Sequence, residues 1–329
     1  MSKFLILGSN SFAGSAFTNY CINKECSVLG VNRSTEQHSI FLPVLKNPLK
    51  ENYHFNKLDL NVDSNKILKL VDDFEPDYIV DFAGQGMVAE SWDDPYQWYQ
   101  TNIVSKAKLH RFLIGKPYLK NYIRISTPEV YGSNEGLIDE TCNMNPSTPY
   151  AISHMATDLS IKALSRNFSF PILIGRFANF YGPHQQLYRI IPKTIISILT
   201  NKVLNLHGGG KSIRAFIHSD DVCEGIFKMI ENGTNGETYH FSPKEFFNIK
   251  EVVEIICSEL DADFNKVTKV TEDREGKDFA YLMDCSKSHT ELRWEAKISL
   301  KNGIKQTIDW VKDNLEVIEE LSLEYKHKE

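Results

Sequence analysis

The chain has 329 residues, enough at about 150 per domain for two domains or one α/β unit with insertions, and too many for a small stapled scaffold. Its 37 Lys and Arg stand against 43 Asp and Glu, a formal charge of −6, and no stretch is basic enough to follow a phosphate backbone, which argues against nucleic acid as a partner. Hydrophobic residues at 42% suit an ordinary globular protein and exclude general disorder. The opening apolar run is too short for a secretory signal, and no later run reaches the length of a membrane span. Six cysteines without C-x-x-C pairs and ten histidines without H-E-x-x-H or H-x-H spacing predict reduced thiols, a cytoplasmic location and no metal site.

In chain order, short apolar runs at 4–7, 27–31, 78–82, 122–126 and 172–176 alternate with helix-length segments, among them amphipathic stretches at 95–113 and 150–167. This rhythm predicts βαβ units, hence an α/β fold with a doubly wound parallel sheet of Rossmann type. After about residue 180 it loosens into turns such as Tyr181-Gly182-Pro183 and Gly208-Gly209-Gly210. The division therefore falls near residue 180: 1–180, with the glycine turn at 8–14, are expected to form a dinucleotide-binding domain, and 181–329 mainly a smaller α/β lobe for substrate, with some segments returning to the first domain.

Gly8-Ser9-Asn10-Ser11-Phe12-Ala13-Gly14 follows the first strand and opens a helix. Small residues there let backbone N–H groups approach a pyrophosphate at a helix N-terminus, which makes Gly8, Asn10, Ser11, Phe12 and Gly14 candidate cofactor contacts. Ser11 stands where the spacing wants its middle glycine, and an ordinary strand-to-helix turn is the plainer alternative. Val31-Asn32-Arg33-Ser34, ending the second strand, lacks the carboxylate that would hold a ribose 2′-hydroxyl. Asn32, Arg33 and Ser34 suit a 2′-phosphate instead, predicting NADP with NAD as the alternative; an exposed loop arginine is the competing reading. Asp59 and Leu60 suit the adenine edge. Gly210-Lys211-Ser212 is no triphosphate loop, because the required earlier glycine, at 205, is Asn.

Three further segments fall in order: Ser126-Thr127-Pro128-Glu129-Val130-Tyr131-Gly132, Pro149-Tyr150-Ala151-Ile152-Ser153-His154, and Arg176-Phe177-Ala178-Asn179-Phe180-Tyr181-Gly182-Pro183. With the glycine turn they resemble the extended short-chain dehydrogenase/reductases of the NAD-dependent epimerase/dehydratase family, which modify nucleotide sugars. The resemblance is greatest to the dTDP-glucose 4,6-dehydratase branch. That branch carries S-T-D-E-V-Y-G, Y-x-x-x-K, R-x-x-N-x-Y-G-P and D-R-x-G-x-D-x-x-Y, the last matched here by Asp273-Arg274-Glu275-Gly276-Lys277-Asp278-Phe279-Ala280-Tyr281.

The resemblance implies that Tyr150 is the base that removes the sugar's hydroxyl proton, that the hydroxyl of Thr127 or Ser126 orients the sugar oxygen, and that Glu129 abstracts the C5 proton. It places Ala83, Gly84, Gln85 and Met87 beside the nicotinamide, gives Tyr150 and His154 cofactor contacts, and assigns Gln85, Asn179, Arg214 and Arg274 to the nucleotide-diphosphate sugar. A tyrosine near its ordinary pKa of about 10 needs a neighbouring cation to act near neutrality. The branch uses lysine for this; here the position is His154, whose imidazolium is only fractionally present at neutral pH, implying slower or more pH-dependent activity. Pro128 stands where the branch places the acid for the departing hydroxyl. The expected reaction is nucleotide-sugar 4,6-dehydration; a C4 oxidoreductase or epimerase, and a catalytically weakened NADP-binding homologue, are the alternatives. The family also implies a homodimer in which 95–113 and 150–167 form a four-helix bundle.

Overall fold

The computed structural model describes residues 1–134, 136–272 and 280–328. Among these, seven parallel strands form the central sheet: β1 (Lys3–Leu7), β2 (Ser27–Asn32), β3 (Tyr53–Lys57), β4 (Tyr78–Asp81), β5 (Asn121–Ser126), β6 (Ile172–Phe177) and β7 (Thr238–Phe241). They lie in the order β3-β2-β1-β4-β5-β6-β7, a doubly wound Rossmann-type sheet as the alternating pattern predicts. The strand at 238–241 comes from the second half of the chain and pairs with β6 at the sheet edge.

Alternation along β1 shows how the two layers form. Phe4 and Ile6 pack with Phe17 of α1 (Phe12–Asn23), whereas Leu5 and Leu7 belong to the opposite cluster with Leu109 and Ile161. α2 (Ser64–Phe74) covers the second face with Ile67 and Val71. The predicted helix at 95–113 is interrupted: α3 (Pro95–Tyr99) passes through a π turn, Gln100–Val104, into α4 (Ser105–Leu113). The turn sets Asn102 against α5 (Pro149–Phe168), where its side chain donates to Ser153 Oγ (2.9 Å) and its carbonyl accepts the Thr157 hydroxyl (2.6 Å). A separate core lies in the second half, where α6 (Ile190–Leu199), α7 (Ser219–Asn232), α8 (Ile249–Glu259) and the helix Leu300–Asp313 follow; Ile191, Ile195, Val252, Ile256, Ile304 and Ile308 fill it.

His110 and His240 are among the histidines buried in this fold. His110 stands edge-on to Tyr122 with centroids 4.8 Å apart, and its Nε2 has no hydrogen-bond partner among the described residues. Burial pushes both His110 and His240 down to about 3. An unfolded histidine binds its proton below about 6.5, so the stability these groups contribute is present above that pH and is lost as pH falls from about 6.5 toward about 3, by about 1.4 kcal/mol per pH unit and group. His110→Phe keeps the aromatic packing and removes one such proton. Chemical unfolding as a function of pH should show a neutral-pH stability within about 1 kcal/mol of the parent and an acid-side slope smaller by about one proton.

Candidate active site

The glycine turn, the loop after β2 and the segment after β4 meet at the carboxyl ends of the strands, where the sheet order reverses between β1 and β4. Gly8 has φ of +82°, and a Cβ there would lie 2.8 Å from the Ala83 nitrogen; a Cβ on Gly14 would collide with the Gly8 carbonyl. Ser11 has a use of its own at the middle position: it caps α1, accepting from the Gly14 N–H (3.1 Å) and donating to the Gly8 carbonyl (2.7 Å). α1 opens at Phe12 with no acidic residue in its first turn, leaving the positive end of its dipole facing the turn. Backbone this closely cradled, before an uncompensated helix N-terminus, fits a dinucleotide pyrophosphate.

Asn10 fastens the loop after β2, donating to the Ser34 and Thr35 carbonyls at 3.2 and 2.9 Å, and its Oδ1 is buried without a hydrogen-bond partner among the described residues. Asn32 closes β2, Asp59 accepts the Asn61 N–H at 2.8 Å, and Leu60 is buried in the core. Gly84 lies against Asn102, whose Oδ1 accepts the Gln85 N–H at 2.9 Å.

The C-terminal residues cross this region, a placement the sequence reading did not foresee. Glu324 pairs with Lys193 (2.9 Å), Tyr325 packs on Tyr188, and His327 stacks on Trp98 with centroids 5.3 Å apart. The Lys328 carbonyl accepts from both Arg33 (2.7 Å) and Gln85 (3.0 Å), and its ammonium donates to Ser34 Oγ (3.1 Å). Arg33, Ser34 and Gln85 thus hold the tail with groups that a dinucleotide or sugar would use.

At the end of β5, Thr127 caps a short turn, Pro128–Tyr131, accepting from the Glu129 N–H at 3.3 Å. Pro128 occupies the first position of that turn, where its fixed φ fits and its missing N–H costs nothing. Across from it, α5 presents Tyr150 and His154 one turn apart, with ring centroids 4.6 Å apart. The Tyr150 phenol stands above its ordinary value: burial and then the Glu129 carboxylate push it up, and its hydrogen bond with Thr127 and the charges of Arg124 and Arg189 pull it only part of the way back. Tyr281 joins the group, its hydroxyl donating to Glu129 Oε1 (3.2 Å) and lying 3.4 Å from Asn179 Oδ1, while the Arg214 guanidinium sits 4.5 Å above its ring. The structure therefore brings together Thr127, Glu129, Tyr150, His154, Asn179 and Arg214. Arg274 lies outside the described residues.

Two expectations change. Ser126 turns its hydroxyl inward, donating to Asp158 at 2.7 Å, so Thr127 is the strand-end hydroxyl beside Tyr150. His154 supplies no partial imidazolium: burial, then Arg124 and Lys106, hold its pKa well below the ordinary value, and Arg124 Nη2 lies 3.0 Å from its Nδ1. Arg124 in turn belongs to a buried block of charge. Asp81 contacts Arg124 Nη1 (3.3 Å) and Lys106 Nζ (2.7 Å), while Asp158 contacts Arg124 Nε (3.7 Å) and Arg176 Nη2 (3.0 Å). Burial would raise Asp81, but Lys106 and Arg124 outweigh it and hold the carboxyl low; burial brings Lys106 down to about 8. Sequence reasoning missed Arg124, Lys106 and Tyr281. Their signals were one arginine inside an apolar strand run, one lysine on the core side of a helix, and the last residue of a motif read for its arginine.

The sequence model of the GDP-mannose 4,6 dehydratase family matches residues 5–307. The dTDP-glucose 4,6-dehydratase of Haemophilus influenzae is 29% identical over 334 residues, covering 94% of this chain and 98% of its own. Among solved structures, the dTDP-glucose 4,6-dehydratase DesIV from Streptomyces venezuelae, with NAD bound, superposes with a TM-score of 0.87 at 27% identity, covering 96% of this chain and 98% of its own. A UDP-glucose 4-epimerase from Thermotoga maritima shares the fold with a TM-score of 0.86 at 22% identity, covering 95% of this chain and 99% of its own.

The glycine turn gives the most direct test of the cradle. Gly14→Ala should lower the melting temperature and weaken NAD binding at least about tenfold, because the methyl group forces the turn away from Gly8; calorimetric titration of the folded variant measures it.

Proposed function

The chain belongs to the GDP-mannose 4,6-dehydratase family, and from that membership and the site's geometry we propose that it is a nucleotide-sugar 4,6-dehydratase. The observation that carries the reading is the convergence of Thr127, Tyr150 and Glu129 at one strand end, a buried hydroxyl beside a half-buried phenol and a half-buried carboxylate. Gly8, Ser11, Phe12 and Gly14 would hold the dinucleotide pyrophosphate, Asn10 and Asn32 would shape the loop for its ribose, and Asp59 and Leu60 would take the adenine. Ala83, Gly84 and His154 would hold the nicotinamide. When bound, the nicotinamide would accept the C4 hydride of the sugar and return it to C6, and C5 would take its new proton from solvent.

Tyr150, oriented by Thr127, takes the proton of the C4 hydroxyl as that carbon is oxidised. The C5 proton becomes removable only beside the new carbonyl, which holds the developing enolate charge, and Glu129 takes it. Pro128 has no proton to give, so Glu129 passes the one it has taken to the departing C6 hydroxyl, which leaves as water. Asn179 and Arg214, with Arg274, bind the diphosphate and its sugar; guanidinium groups suit paired phosphates.

The finer points are proposals of the same kind. Arg33 and Ser34 at a strand end without a carboxylate support NADP, whereas the solved relative DesIV holds NAD. A homodimer through α3, α4 and α5 is supported by exposed Val104 and Tyr96 and by Ile152 and Leu159, seven residues apart on one face of α5. A cytoplasmic location is supported by six free cysteines; no helix of the described residues is long and apolar enough to cross a membrane.

Incubation with dTDP-glucose, and with the corresponding UDP and GDP sugars, tests the reaction. The expected product is a 4-keto-6-deoxy sugar lighter by one water that carries deuterium at C5 when made in deuterated solvent, and Glu129→Gln should stop water loss while still allowing nicotinamide reduction. A turned-over product of unchanged mass makes the chain a C4 epimerase instead.

Cofactor choice is read by calorimetry. NADP should bind about ten- to a hundredfold more tightly than NAD, and Arg33→Ala should remove the difference. Deleting residues 324–329 removes a competitor for Arg33, Ser34 and Gln85 and should strengthen both. Equal affinities in the parent would assign the site to NAD.

A further inference from the structure

We infer that Arg124 is the fixed cation of the hydroxyl-activating site and acts on Tyr150 through a neutral His154, taking over the charge that the family resemblance gives to a lysine at position 154. The inference rests on the dehydratase reading only in taking Tyr150 as the base.

A guanidinium is a donor at every nitrogen and does not lose its proton in proteins. Arg124 Nη2 lies 3.0 Å from His154 Nδ1, so that nitrogen accepts, and its lone pair faces the arginine. A doubly protonated ring would set N–H against N–H between two cations. The ring is therefore neutral, its one proton is on Nε2, and the arginine's pull polarises that N–H. Burial and the neighbouring cations act in the same direction on His154. The tautomer follows from what Arg124 can do chemically, and Arg124 has no second tautomer.

The charges around the Tyr150–His154 pair are Arg124 from β5, Asp81 from β4, Lys106 from α4, Asp158 from α5 itself, Arg176 from β6, Glu129 from the turn after β5, and Arg189 at the start of α6; Tyr281 stands against Glu129, with Arg214 over its ring. Within the buried block, Lys106, Arg124 and Arg176 outnumber Asp81 and Asp158, which leaves positive charge on the His154 side of the phenol. Glu129 opposes it from the other side. Arg124 is a positioning residue: it sets the tautomer of His154 and the field at Tyr150 without being assigned a contact with substrate.

One consequence separates this arrangement from a simply weakened site. Lysine at 154 would put an ammonium against Arg124 with Lys106 behind it, so His154→Lys alone should lower activity. Combined with Arg124→Gln it should restore activity, because one cation then remains in either arrangement.

The first measurement does not depend on turnover. In [15N]histidine spectra of the parent, assigned with His154→Gln, His154 should stay neutral with its proton on Nε2 across the pH range in which the protein stays folded. Titration near the ordinary histidine value, or a proton on Nδ1, overturns the inference even if Arg124 variants do not fold and whether or not the chain dehydrates a sugar. The second measurement is the pH profile of single-turnover NAD reduction by dTDP-glucose. Arg124→Gln should move the rising limb to higher pH and cost at least about tenfold near neutrality, Arg124→Lys should retain most of the rate, and the double variant should exceed both of its single parents. A uniform loss with no movement of the limb, and no recovery in the double variant, would show that Arg124 only supports the fold.

Discussion

Arg124 is held dry between two carboxylates, and the strand ends that carry the chemistry are built on that arrangement. Removing a guanidinium from water costs several kcal/mol, offset only by close partners. The sheet supplies one through register, since β4 pairs with β5 so that Asp81 stands beside Arg124. α5 supplies the other, Asp158. Lys106 then answers Asp81 and also donates to the Ala83 carbonyl at 2.5 Å, tying the end of β4 to α4. Arg176, opposite Ser126 in the β5–β6 register, answers Asp158. Three cations share two carboxylates, so loss of Asp81 or Asp158 leaves buried charge uncompensated, a penalty of about 3–5 kcal/mol, and the block fixes how α4 and α5 dock on the sheet.

This rigidity has a chemical use. Thr127 and Tyr150 stand directly on the block, one following Ser126 and the other one helical turn before His154. Ser126 gives its hydroxyl to Asp158 and so contributes to the floor rather than to the site above it. Groups fixed in this way need no reorganisation as charge develops on a reacting sugar, and a low local dielectric makes their field stronger than in water.

How much of this was legible in the sequence divides along a physical line. The strands at 4–7, 27–31, 78–82, 122–126 and 172–176 carry local hydrophobic patterns, and the glycine turn and the segments around Thr127, Tyr150 and Asn179 carry local spacing; each appears in the fold where its pattern placed it. The charge block has no such signature. Asp81 and Lys106 are 25 residues apart and Arg124 and His154 are 30 apart, so their pairing exists only once the sheet has formed. Reading His154 from its own ordinary pKa and its spacing from Tyr150 gave a partial cation, because the arginine that makes it neutral was not in view. The tail over Arg33 and Gln85, from the far end of the chain, was invisible for the same reason.

Three departures from the resembled motifs also differ in kind once their surroundings are known. Ser11 replaces a glycine with a helix cap, so the turn keeps its geometry and α1 gains an N-cap. His154 replaces a lysine beside an arginine that already supplies charge. Pro128 is compensated only in its backbone: it suits the first position of its turn, but no proton comes with it. The motif around Pro128 leaves Glu129 as its one carboxyl, and the Tyr281 hydroxyl steadies that carboxyl from the opposite side. In the proposed reaction, elimination at this strand end would run through one carboxyl group that must first accept a proton and then release it. A group used twice in this way has to sit near both the C5 hydrogen and the C6 oxygen, which favours loss of both from the same face of the sugar.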